Sequence, residues 1–321
     1  MAGRRKRPSV PRSSRAASGK PPKIEYLLEQ GTLRDIRRAK EHTAEWLEYQ
    51  WRYYSELAHQ RNQILDELKA VLIQASFENY QFEKWQRAVK WKYSLHPLST
   101  IGSLSFIGGR FNTGKDVNPT VQSFPALYLA ADKDTALQET LGHAEGKDNK
   151  LSAIELALTN PQSQVIVSVS GQLEKVFDLR VVANLKTFVH KMRRFTLSAV
   201  LKETAKHLGM DKPRVIQTPG ELLDTLLVEN WRAAPAVGDV PANSQIFGHL
   251  VYQAGIEGIL YPSRHSGKDC LAIFPRNFAN TSSYIELDDE PPDLQVPRRI
   301  DGTTWRLCDL SPKELIEGKL A

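Results

Sequence analysis

Between Gly31 and Pro97 the chain contains neither glycine nor proline. A run of that length without either residue excludes a turn-rich architecture and predicts helix. Leu47, Trp51, Tyr54, Ala58, Leu65, Leu68 and Leu72 recur at spacings of three and four, which puts them on one face of a long amphipathic helix. The register changes near Ser76 to Asn79, and Phe82, Trp85, Val89 and Trp91 follow, so a second, shorter helix folding back is expected. This segment offers aromatics and paired charges, with no grouping of nucleophile, base or ligand. Its chemistry is that of a packing surface for the rest of the chain, for a second copy in a homo-oligomer, or for another protein.

Charge has to be located before it is interpreted. The net charge is +6 over 321 residues, but Arg4, Arg5, Lys6, Arg7, Arg12, Arg15, Lys20 and Lys23 sit in a leader without any acid, so those eight leave the remainder at −2. Basicity is therefore a property of the tail. A Ser/Pro/Arg-rich leader cannot bury enough apolar surface to order itself, and any attraction to nucleic acid is expected to be weak and confined to it. No run approaches the roughly 20 apolar residues that span a bilayer, and the N-terminus lacks the apolar stretch of a signal peptide. A cytoplasmic protein without membrane partners is expected. Cys270 and Cys308 are too few for a disulfide framework and have no companions at metal-ligand spacing, so no metal is expected.

After Pro97 short apolar runs alternate with Gly, Pro and Asn, the texture of strands and turns. Strands are predicted at 126–130, 154–158, 165–169, 176–179, 256–261 and 271–274. Helices are predicted over 133–143 and over 181–208, with Gly209 as the stop. A third helix is predicted from Thr218 to about Trp231, because Thr218 and Glu221 have capping-box spacing and Pro219 occupies the first turn. The mixed order of elements argues for an α+β fold. The stretch after Ile285 is acidic, then Pro-rich, and reads as a segment wrapping the surface.

Three clusters carry polar chemistry. In Gly108-Gly109-Arg110-Phe111-Asn112-Thr113-Gly114 the glycines permit close backbone approach and Arg110 offers a planar fork for a phosphate or carboxylate. Alone, this is as readily a Gly-rich turn with a surface arginine. The strand around Tyr128 leads through Asp132 into a helix carrying Thr135, Ala136 and Glu139, where a carboxylate can pair with hydroxyls while an aromatic ring stacks a flat ligand. Alone, Glu139 is as readily a solvated helix residue. The apolar strand Ile259 to Pro262 ends in Ser263-Arg264-His265, a polar corner at a strand terminus. No G-x-S-x-G elbow surrounds Ser263, which argues against a serine hydrolase.

In this order, GGRFNTG, LYLAADKDTALQE and GIEGILYPSR closely resemble the RES family, named for its Arg, Glu and Ser. Arg110, Tyr128, Glu139 and Ser263 fall on the positions that family uses, with Asn112 beside the arginine. The resemblance implies a split mixed β-sheet similar to that of ADP-ribosyltransferases, preceded here by an N-terminal helical region. The implied partition is a disordered basic tail over 1–24, the helical region over 25–95, a catalytic domain over 96–285 and a C-terminal extension over 286–321. It further implies NAD as substrate, cleavage of the nicotinamide–ribose bond by hydrolysis or by phosphorolysis with inorganic phosphate as co-substrate, and a toxin held by a cognate antitoxin. Within that implication Glu139, Arg110 and Ser263 are catalytic, and Arg110, Asn112, Tyr128 and Ser263 hold the dinucleotide. Transfer of ADP-ribose to a macromolecule, and a non-catalytic partner-binding role, are the alternatives. An additional arginine that often stands near the start of the family domain has no obvious counterpart in the stretch before Gly108.

Overall fold

The computed structural model describes residues 33–141, 164–291 and 296–318. The basic tail, the strand expected at 154–158 and the end of the helix expected over 133–143 lie outside the described residues. The chain divides into two compact units, one containing the described residues up to Tyr49 together with Ser198–Pro213, the other Gln50–Leu197 and Arg214 onward. In the first, α5 (Ala199–His207) starts where the Ser198 side chain accepts the Leu201 amide N–H, and it buries Leu201 and Ala205.

The Gly- and Pro-free stretch is not all helix. Helix α1 (Leu33–Gln63) and helix α2 (Leu65–Ala75) are separated at Ile64, and α2 buries Leu68 and Leu72 completely. Each such leucine contributes about 1.5–3 kcal/mol. The helix expected over Phe82 to Trp91 is instead strand β1 (Phe77–Lys90). Asn79 (φ 60°) and Lys84 (φ 54°) occupy the left-handed region, which interrupts a helix, and a bulge between Phe82 and Trp85 absorbs the irregularity. The aromatics then pack as strand side chains, with Tyr80 stacked on Phe82 and edge-on to Trp85.

Strands β2 (Gly108–Gly109) and β3 (Asn112–Thr113) form a small hairpin apart from the main sheet. The main sheet contains β1, β4 (Leu127–Ala130), β5 (Gln164–Asp178), β6 (Gly258–Pro262), β7 (Asp269–Ile273), β8 (Tyr284–Leu287) and β9 (Arg299–Asp301). Its order is β1-β4-β7-β6-β5-β8-β9, with β1 paired along most of its length with β5 as well, so the pairing returns on itself. Among the described strands only β5 and β6 run parallel, which makes the sheet mixed. The two strands expected at 165–169 and 176–179 are one continuous β5.

Alternation sends neighbouring side chains to opposite faces. Tyr261, Cys270 and Ala272 join one core, and Leu260, Leu271 and Ile273 the other. Both faces are covered, which is why β6 and β7 read as continuous apolar runs. The first core is roofed by α2, α4 (Lys186–Met192), α6 (Pro219–Leu226) and α8 (Asn243–Gln253).

The single helix expected over 181–208 is a 3-10 turn (Val182–Leu185), then α4, then α5. The apolar stripe does not continue, since Val200 is exposed and Ser198 caps a fresh start. The capping box of Thr218 and Glu221 is present, but α6 ends at Leu226, short of Trp231. Helix α3 (Lys133–Leu141) is found where the strand-to-helix cluster placed it. A short α7 (Ala233–Val237) precedes α8 and α9 (Pro312–Ile316) closes the described chain. The C-terminal segment does more than wrap: β9 pairs with β8, and the carbonyls of Leu307, Cys308 and Leu310 accept hydrogen bonds from His96, Thr100 and Ser99. Among the described residues no helix is long and apolar enough to cross a membrane.

Candidate active site

The hairpin of β2 and β3 turns through Arg110 and Phe111, and its shape is set by contacts a sequence does not display. Gly109 lies against the Tyr128 ring, where a Cβ would come within 2.5 Å of the hydroxyl. The close approach permitted by this glycine therefore serves the protein's own aromatic. Asn112 is completely buried: its Nδ2 donates to the carbonyls of Ser103 (2.8 Å) and Phe124 (3.0 Å), and its Oδ1 accepts from the Gly109 amide (3.0 Å) and the Tyr128 hydroxyl (2.8 Å). The Tyr128 oxygen in turn accepts from the Phe111 amide at 2.9 Å. Burial raises the Tyr128 pKa well above that of an ordinary phenol, so the hydroxyl keeps its proton and donates it to Asn112 Oδ1.

A residue with no sequence signal completes this frame. Gln245, on α8, is fully buried, and its Nε2 donates to the carbonyls of Ile107, Gly109 and Asn112. One amide thereby clamps both strands of the hairpin.

Arg110 emerges from this frame almost buried. Its Nη1 donates to the Val228 carbonyl at 2.8 Å and the Leu226 carbonyl at 3.4 Å, just past the end of α6. The early termination of α6 thus has a use, because carbonyls freed at its end hold the guanidinium. The guanidinium lies 5.9 Å from the centre of the Trp231 ring and makes no salt bridge among the described residues. Arg232 lies 4.7 Å from the centre of the Trp231 ring, and burial, followed by the neighbouring Arg110 charge, lowers its pKa.

Glu139 is presented by α3, whose start is fixed by Asp132: that carboxylate accepts the amides of Asp134 and Thr135 and the Thr135 hydroxyl. Two turns along, Glu139 Oε1 accepts the Ser263 hydroxyl at 2.6 Å. Ser263 follows β6 in a tight turn, and its Oγ accepts the amides of His265 (3.1 Å) and Ser266 (3.3 Å). With its acceptor side filled by amides, the hydroxyl proton is directed at the carboxylate. Glu139 Oε2 has no hydrogen-bond partner among the described residues.

These groups surround a cleft of about 260 Å³ lined by Arg110, Tyr128, Glu139, Trp231, Arg232 and His265. Arg87, Arg110, Arg232, Lys90 and Lys92 line it against the single carboxylate of Glu139, so the cleft favours an anion. Its size, a little below the roughly 300 Å³ at which ligand pockets begin, suits part of a dinucleotide. Ser263 and Asn112 are not on its wall; they act on Glu139 and Tyr128 from behind. Arg264 points to the Leu227 carbonyl (2.9 Å), bracing the same turn that holds Arg110. Arg87, on β1, also reaches the cleft, but its fork is engaged by the carbonyls of Pro97, Ser99 and Tyr128, and burial lowers its pKa to about 10.

A family model described as RES domain matches residues 84–295, more than half of the chain. No curated protein matches. Among solved structures, the crystal structure of the M. tuberculosis MbcT-MbcA toxin-antitoxin complex is similar at 16% identity with a TM-score of 0.39, covering 78% of this chain and 95% of that chain.

Proposed function

The chain belongs to the RES domain family, and from that premise we propose that it consumes NAD by breaking the nicotinamide–ribose bond, as a toxin restrained by a cognate antitoxin. The observation that carries this reading is Glu139, held from behind by Ser263, as the one carboxylate on a cleft whose other charges are cations, Arg110 and Arg232 among them. The sheet and cleft would then correspond to an ADP-ribosyltransferase-like fold.

The chemistry asks little of the protein beyond charge. When the glycosidic C–N bond breaks, its electron pair leaves with the pyridinium nitrogen, and nicotinamide departs neutral, so no acid has to protonate it. Positive charge develops on the ribose, and a fixed carboxylate stabilises it. Glu139 supplies that carboxylate, with Ser263 fixing one oxygen and the other left to take a ribose hydroxyl. Arg110 and Arg232 suit the pyrophosphate, or an attacking inorganic phosphate. Tyr128 offers a ring to stack nicotinamide, its hydroxyl being committed to Asn112 and Phe111. Water then gives ADP-ribose and a proton, and phosphate gives the phosphorylated sugar.

Purified protein incubated with NAD, with and without phosphate, tests the reading by product analysis. Release of nicotinamide with free or phosphorylated ADP-ribose supports it. ADP-ribose found attached to a protein would replace it with group transfer, and no nicotinamide from folded protein would overturn it.

A further inference from the structure

A second cavity, of about 380 Å³, lies under α1, α4, α6 and α8 within the larger unit, apart from the cleft of Glu139. Its walls are largely apolar, with Leu57, Phe188, Leu222, Phe247 and Leu250 among them, and Arg61 is set into them. Arg61 is only 7% exposed. Its guanidinium lies 5.7 Å from the centre of the Tyr54 ring, and none of its N–H groups donates a hydrogen bond among the described residues. Burial lowers its pKa to about 10, which still leaves it cationic at neutral pH.

The acids on the cavity wall do not answer this charge. Glu221 is bound by Arg214 at 2.7 Å and by the amides of Gln217 and Thr218, and Asp224 faces Arg264 at 3.4 Å. Among the described residues the cation is thus buried without a counter-ion, a costly arrangement in a protein interior. Beside it is a space within the size range of small-molecule sites. A single unpaired planar fork in largely apolar walls suits a carboxylate joined to an apolar body, since the fork donates to the carboxylate in bidentate fashion and the walls cover the rest. A nucleotide fits poorly, because its several charges and hydroxyls would meet one unpaired cation, Arg214 being taken by Glu221, and mostly hydrocarbon.

We propose that this cavity binds a small organic carboxylate with an apolar body, anchored by Arg61. The proposal is independent of the NAD reading.

The test titrates the full chain with 2-naphthoate and with decanoate, and with 2-naphthamide and decanol as neutral counterparts, following thermal stabilisation and calorimetric binding. At least one of the two carboxylates is expected to bind and raise the melting temperature, at least tenfold more tightly than its neutral counterpart. Binding is expected to weaken at least tenfold in Arg61→Met, which keeps an unbranched side chain and removes the charge. The ligand-free Arg61→Met protein is expected to melt no lower than the wild type, because no hydrogen bond of Arg61 is lost. Leu57→Trp, which fills the cavity and keeps the arginine, is expected to abolish binding and decides the matter if Arg61→Met does not fold. Failure of both carboxylates to bind the wild type at millimolar concentration would overturn the proposal. So would equal affinity in the wild type and either folded variant.

Discussion

The Ser263 hydroxyl reaches Glu139 Oε1 at 2.6 Å while its own oxygen accepts two backbone amides. Under the proposed function, the serine would act on substrate through the carboxylate it orients. A hydrogen bond to a charged group contributes about 1.5–3 kcal/mol, and each 1.36 kcal/mol is tenfold in rate. Ser263→Ala is expected to lower kcat for nicotinamide release by about ten- to hundredfold, with a smaller change in KM. An unchanged kcat in the folded variant would show that Glu139 is positioned by something else.

Glu139→Gln separates charge from shape. The glutamine oxygen can still accept the Ser263 hydroxyl, so the fold and the local hydrogen bond survive while the negative charge is gone. Loss of one preorganised electrostatic partner costs about 10²–10³ in kcat. A loss of that order, with a melting temperature close to the wild type, is expected. Most of the activity persisting in a folded variant would remove Glu139 from the mechanism.

How much of this was legible in the sequence differs from residue to residue. Arg110, Tyr128 and Glu139 lie in two separated runs, yet the structure brings all three to one cleft, with Ser263 behind the carboxylate. Local signals also held where they were physically complete, as in the Thr218–Glu221 capping box. Gln245 was invisible because its role is to meet three carbonyls from a hairpin far away in the chain, and nothing near it in sequence marks that. Trp231 and Arg232 were missed because they were assigned to, or just beyond, a helix that in fact stops early to hold Arg110. The helix expected across Phe82 to Trp91 failed because Asn79 and Lys84 adopt backbone angles usually left to glycine. The absence of glycine was read as continuity.

Asn112 and Tyr128 form a unit whose purpose is structural as much as chemical. Tyr128→Phe keeps the ring but leaves the Phe111 amide and the Asn112 oxygen each short of a partner. Leaving a buried polar group unsatisfied costs about 1–3 kcal/mol. Denaturant unfolding is expected to show a loss of that size, with kcat changed less than in Ser263→Ala. A large fall in kcat without loss of stability would mean that the phenol takes part in the reaction.

Stability is expected to fall as pH drops from about 7.5 to about 5.5, around the ordinary histidine pKa of about 6.5. His96 is fully buried with Nε2 2.7 Å from the Leu307 carbonyl, which requires the proton on Nε2; Nδ1 has no partner among the described residues. Burial, and secondarily the charge of Arg87, lower its pKa, and burial lowers that of His249, which stacks on Phe124. Below the unfolded pKa the unfolded chain takes up protons that the folded chain refuses, so folding is penalised increasingly until the folded pKa is reached. The carboxylates with lowered pKa, such as Asp132 and Asp301, act only at lower pH. Urea unfolding at the two pH values measures the effect, and equal or greater stability at the lower one would contradict it.

Helix α6 borders the second cavity, and its C-terminal end holds a residue of the cleft. Leu222 and Thr225 face the space beside Arg61, while the carbonyls of Leu226 and Val228 hold Arg110 in the cleft. A ligand that shifts α6 by a fraction of an ångström moves the acceptors of Arg110, and the two sites are then coupled. Coupling is reciprocal, and typical values correspond to about 5- to 150-fold in affinity. ADP-ribose affinity, measured by calorimetry with and without whichever of 2-naphthoate and decanoate binds, is expected to change by at least the lower end of that range in the wild type and not at all in Arg61→Met. Identical affinities in the wild type, with the carboxylate demonstrably bound, would show that α6 transmits nothing between two independent sites.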